Sequence, residues 1–143
     1  SILSLKLEIS YDFDFELIGI VSNVRSFKLA WLLNADLSVS FYRTEDVELL
    51  FIDDSKMTFT HYLFSTENDC YRLIKNKSHL FELTSKPYLL PELKEYDYFL
   101  LIENHTQSID CDKVYEIISQ QPQIQYCQRI NPAQIKNREN LIF

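Results

Sequence analysis

The chain predicts an α+β domain: an antiparallel or mixed β-sheet, built from a meander plus a β-α-β end, with two main helices packed on it. Three observations point there. Apolar and polar residues alternate with a period of two over several short stretches, as half-buried strands do. Two other stretches carry apolar residues at helical spacing, around Ala30 and around Val114. Finally, 46 % of the 143 residues are hydrophobic and 14 % aromatic, enough for one core spanning residues 1–143.

Taken in order, Leu3, Leu5, Leu7 and Ile9 alternate with Ser4, Lys6 and Glu8, and read as a strand. Tyr11, Phe13, Phe15 and Leu17 continue the alternation against Asp12, Asp14 and Glu16. Residues 17–21 are apolar on both faces, which predicts a central strand, and Gly19 in its middle marks a bulge or a close approach by another element. Residues 26–34 read as a helix with Phe27, Ala30 and Leu33 on one stripe and Trp31 beside it. Ser22, Asn23 or Ser26 are its candidate caps, and Asn34 helps to close it. Four strands follow at residues 39–42, 47–52, 57–64 and 71–74, with turns at 53–56 and 67–69 and a further short strand at 78–83. Pro87 and Pro91 interrupt the sheet, and residues 97–103 form a buried strand. Asp110 or Asp112 caps a helix through Val114, Ile117 and Ile118, which Pro122 ends. Residues 124–130 close the sheet.

Composition excludes several function classes. Residues 1–70 hold 5 basic and 12 acidic side chains, and residues 71–143 hold 9 of each. A net charge of −7 repels phosphate backbones, so no nucleic acid is expected as a partner; Arg72, Lys75 and Lys77 form the best basic stripe. No apolar run approaches the roughly 18 residues that span a bilayer, so no membrane partner is expected. Residues 1–10 lack a basic leader before an apolar block, so no signal peptide is expected. P-loops, Rossmann turns, kinase phosphate loops and G-x-S-x-G elbows each need at least two glycines, whose backbone amides approach a phosphate or adopt positive φ. Gly19 stands alone in this chain. Cys70, Cys111 and Cys127 are widely spaced and odd in number, which predicts free thiols, no metal site, no cofactor and the reducing cytoplasm.

Few residues suggest chemistry. Asp12, Asp14 and Glu16 lie about 6.8 Å apart along one strand face, a spacing open to a cation but equally that of a solvated or edge-guarding face. His61, His79 and His105 have no metal-ligand spacing. Cys111 sits between Asp110 and Asp112, which argues against a reactive thiolate. The densest signal is residues 90–98, where Pro91 opens a short helical turn, Glu92 suits its first turn, and Asp97-Tyr98 leads into the strand. It reads as a proline-bounded turn docked on the sheet. Its functional reading is a recognition surface of Glu92, Tyr96, Asp97 and Tyr98.

That stretch resembles the signature of the uncharacterised bacterial family named IPExxxVDY. Pro91, Glu92, Asp97 and Tyr98 match it, with Leu90 in place of Ile and Tyr96 in place of Val. Residues 12–20 and 29–34 also look like that family. The resemblance implies a small bacterial protein and brings no activity with it.

Two functional expectations follow. The first is a non-enzymatic domain acting by protein association, either with a protein partner or as a homodimer, since a long meander leaves edge strands and surface aromatics available. The alternative is an enzyme or small-ligand binder in which Glu92, Asp97 and His105 converge for proton transfer.

Overall fold

A computed structural model of the chain describes residues 14–50, 56–79 and 87–143. The expected strand at 3–9, Asp12, the turn centred on 53–55 and most of the short strand at 78–83 lie outside those residues.

Strand β1 (Glu16–Val21) leads into helix α1 (Ser26–Leu37), followed by strands β2 (Tyr42–Arg43), β3 (Val47–Leu50), β4 (Lys56–Phe59), β5 (His61–Ser65) and β6 (Asp69–Lys75). After a long connection come β7 (Tyr98–Asn104), α2 (Cys111–Ser119) and β8 (Tyr126–Ile130). Among the described residues six strands form one sheet in the order β2-β5-β6-β7-β1-β8, and every pairing between them is antiparallel. The consecutive strands β5, β6 and β7 form a meander that differs from the one expected over residues 37–83: β3 and β4 leave it for a separate sheet, and β7 takes the next place beside β6. The β-α-β end is split: β7 and β8 both pair with β1, which lies between them.

The central position of β1 explains its two apolar faces. Ile18 and Ile20 face the two helices, together with Leu73, Tyr98 and Leu100. Leu17 faces the opposite layer, with Phe99 and Leu101. That second layer comprises the β3–β4 hairpin, the segment around Leu89 and Leu90, and C-terminal residues including Ile135 and Leu141.

Three expectations need correction. Residues 57–64 are not one strand. The chain breaks at Thr60, whose carbonyl accepts from Lys75 N–H (3.0 Å), so β4 pairs only with β3 in a separate two-stranded sheet while β5 joins the main one. Alternation alone cannot reveal such a hand-over, because the side chains keep their period through it. Second, α1 buries Leu29, Ala30 and Leu33, whereas Phe27 and Trp31 are 62 % and 67 % exposed. Both stripes satisfy helical spacing, and the roll is set by the preceding loop. There the Ser22 N–H donates to Asp97 (2.9 Å) and the Val24 carbonyl accepts from the Tyr98 hydroxyl (2.7 Å). Third, none of the expected residues caps α1. Its cap position is Arg25, without a side-chain bond, while Ser22 Oγ donates to the Gln123 carbonyl. Asn34 does serve the far end, where its carbonyl accepts from Val39 N–H and its Oδ1 from Phe41 N–H.

Helix α2 starts as expected, with the Asp110 carboxylate accepting from Lys113 N–H. Gly19 is resolved as a close approach. Its pairing with Phe99 on one side and Gln128 on the other is unbroken, so there is no bulge. A side chain there would meet the Tyr96 ring at 2.6 Å.

Candidate functional site

Just after β6, Asn76 ties the sheet to the segment that leads into β7. Asn76 is fully buried, and its side-chain amide donates to the carbonyls of Leu93 (3.0 Å) and Tyr96 (2.9 Å) while its Oδ1 accepts from Leu90 N–H (3.0 Å). These three bonds replace a strand ladder that Pro91 cannot join, because it lacks an N–H. Pro91–Leu93 is a single 3-10 turn, as the proline predicts. Nothing in the sequence pattern singled out Asn76; a lone amide after a strand reads as turn chemistry.

Each motif residue in this segment has a structural partner. Glu92 accepts from the backbone N–H (2.9 Å) and side-chain amide (2.7 Å) of Asn137. Burial works to raise its carboxyl pKa, but those bonds outweigh it and hold the group below the usual carboxylate range. Tyr96 lies on Gly19, stacked against Tyr126 and tilted against Phe99. The Asp97 carboxylate holds the Ser22 N–H, and the Tyr98 hydroxyl holds Val24, with burial pushing that phenol up to about 12. Glu92 and Asp97 are exposed, while the rings of Tyr96 and Tyr98 are buried.

Beside this segment lies a cleft of about 390 Å³. The alternation that turns Asn76 inward sends Lys75 and Lys77 to the cleft side. Lys94 enters from the turn after Pro91–Leu93, and Arg25 enters from the start of α1. Ser22, Asn23, Tyr88 and Asp97 add polar groups to the lining. Of the basic stripe seen in the sequence, Lys75 and Lys77 therefore meet two cations from distant segments. Arg72 does not: it lies on β6 beside His61 and Glu103.

Other candidates are dispersed. Asp97 and His105 flank the seven residues of β7, roughly 25 Å apart by strand rise. Glu92 is tied to Asn137, and His105 is 3.7 Å from Glu103, so these three groups do not converge. Glu16 pairs with Arg129 (3.0 Å) and Asp14 is exposed. Among the described residues, no group of three or more His, Cys, Asp or Glu converges on a metal position. The three thiols are free. Burial pushes Cys70 up to about 11, helped by Glu103, which accepts from its thiol. Cys111 is also raised, chiefly by burial and then by Glu16, with Asp112 a lesser contributor. No family model and no curated protein matches the chain.

His61 is buried, and its tautomer follows from its neighbours. Arg72 only donates, so Nε2 (3.3 Å) accepts; the Glu45 carbonyl only accepts, so Nδ1 (3.2 Å) carries the proton. A second proton would face a guanidinium. Burial and then Arg72 lower this pKa from 6.5 to about 4, with Arg43 adding and Asp46 opposing. Between those values the unfolded chain binds the proton and the folded chain does not, so stability is complete above pH 6.5 and falls as pH drops towards 4. The expected loss is at most about 3 kcal/mol. Urea melts of His61→Gln across that window should show a flatter slope than the native chain; equal slopes would refute it. Asp69, held below the usual range by Thr106 and then Ser108, keeps its own acid sensitivity in both proteins.

The outer face of α1 is a second feature. Phe27 and Trp31 are one helical turn apart, with exposed Ala35 one turn further on. The acidic residue of this helix, Asp36, accepts from Gln121 Nε2 and so leans towards α2.

Proposed function

We propose that the chain acts by association rather than by catalysis, and that its partner is a second copy of itself docked through α1. The supporting observation is the exposure of Phe27 and Trp31 at 62 % and 67 %. An aromatic pair on one helix face, freed from the core by the roll of α1, is the composition of an interface hot spot. A large ring at Trp31 beside a small side chain at Ala35 makes the face self-complementary about a two-fold axis, ring over alanine in both directions. Lys28 is the charged residue exposed among them, and Asp36 is turned away, which suits self-pairing in a chain of net charge −7. Membership of the IPExxxVDY family belongs to the same reading, since Leu90, Pro91, Glu92, Asp97 and Tyr98 all hold structural positions that such a motif would preserve. The cytoplasm suits three unpaired thiols. Among the described residues no helix is long and apolar enough to cross a membrane.

Trp31 is the sole tryptophan, so its emission reports this surface directly. Raising the concentration from micromolar to millimolar should shift that emission to shorter wavelength while sedimentation shows a dimer. Each buried ring contributes about 2 kcal/mol, and a two-fold axis counts it twice, so Phe27→Ser should weaken the dimer at least about a hundredfold. A monomer with constant emission over that range would overturn the proposal.

A further inference from the structure

We propose that the cleft lined by Arg25, Lys75, Lys77 and Lys94 binds a small organic phosphate. Among the described residues its lining holds four cationic side chains and one carboxylate, Asp97, in a chain where acidic residues outnumber basic ones by 21 to 14. Four of the 14 basic side chains therefore line one cleft of an acidic chain. The four cations come from three separate parts of the chain: the start of α1, the end of β6 and the turn before β7. The buried Asn76 fixes two of those parts together, so the cations are presented on a rigid frame. Asp97 is the counter-charge, and its carboxylate is already engaged by the Ser22 N–H (2.9 Å).

Phosphate suits this geometry better than a single carboxylate does. A dianion presents several oxygens to cations that approach from different directions, and ammonium groups bind it as point charges. A backbone cradle is not needed, which reconciles phosphate binding with a chain holding one glycine. The organic part follows from size and lining. About 390 Å³ lies within the range of about 300–1,000 Å³ of small-molecule sites and is far larger than a bare anion needs. The half-buried Tyr88 adds an aromatic wall.

Phenyl phosphate is the probe, followed by amide chemical shifts. Saturable shifts at residues 22–25, 75–77 and 94–98 are expected, with inorganic phosphate binding more weakly and phenol not binding. Lys94→Glu and Lys77→Glu should each weaken phenyl phosphate at least about tenfold. Lys113→Glu, on α2 and outside the cleft, should leave the affinity unchanged. Circular dichroism of each variant establishes that it is folded. Non-saturable shifts, an equal loss in Lys113→Glu, or binding only to phosphatidic acid vesicles would overturn the proposal. None of these readouts depends on self-association through α1.

Discussion

Replacing Asn76 by alanine is expected to destabilise the protein by about 4 kcal/mol, the largest effect of any single polar substitution considered. Asn76 is fully buried, and its amide is shared among Leu90 N–H and the carbonyls of Leu93 and Tyr96. Truncation removes all three bonds and leaves Leu90 N–H and the Tyr96 carbonyl unpaired, while the Leu93 carbonyl keeps its bond from Tyr96 N–H (3.1 Å). Each buried group left unpaired costs about 1–3 kcal/mol, the carbonyl towards the low end because an oxygen tolerates partial satisfaction better than an N–H does, and the lost bond to Leu93 adds about 1 kcal/mol. Asn76→Asp separates size from bonding. The carboxylate keeps the bond from Leu90 N–H but turns oxygen towards two carbonyl oxygens, so it should be no more stable than the alanine variant despite its matched volume. Urea unfolding checks both, read as a lower midpoint with an unchanged slope. A loss below about 1 kcal/mol for Asn76→Ala would mean that the 87–98 segment is held by apolar burial of Leu89 and Leu90 alone.

Much of the architecture was legible because it depends on local pattern. Continuous apolar runs located β1 and β7, short apolar stretches between polar turns located β3 and β6, alternation located β8, and Asp110 marked the start of α2. The failures share a cause, which is that the deciding contact is remote in sequence. The roll of α1 depends on Asp97 and Tyr98, more than 70 residues from the loop they hold. The break at Thr60 depends on β6 claiming one half of an alternating stretch and leaving the other to β3. For the cleft, Lys75 and Lys77 were visible as a basic pair, but Arg25 and Lys94 join them only once α1 and the turn after Pro91 pack at the same end of the sheet. The net charge of −7 was read against nucleic acid as a partner, and a net value carries no information about where the positive charges gather. Residues 90–98 stood out in the sequence for a physical reason that the fold supplies: the segment bridges β1, the α1 loop and the C-terminal layer through Tyr96, Asp97 and Glu92.

Gly19→Ala is expected to cost about 3 kcal/mol or more, and the loss should be traceable to one ring. A Cβ at this position would meet three atoms of the Tyr96 ring at 2.6–2.8 Å, closer than carbon atoms pack. The ring cannot simply swing away, since it lies between Phe99 and Tyr126 and is 7 % exposed. Nor can β1 move, because it is hydrogen-bonded on both sides, to β7 and to β8. Overpacking of this kind costs about 1–3 kcal/mol where the core can adjust and more where it cannot. Gly19 does not adopt positive φ, so backbone freedom is not what the position demands, and alanine would suit the strand better than glycine in the absence of Tyr96. That makes the sign of a double-mutant cycle decisive. Tyr96→Ala alone should cost about 3 kcal/mol through the cavity it leaves, and Gly19→Ala added to it should cost nothing further or restore a few tenths of a kcal/mol. The coupling energy should therefore be close to the full cost of Gly19→Ala. Additive losses in the cycle would show that the strand itself, and not the ring lying on it, requires glycine here.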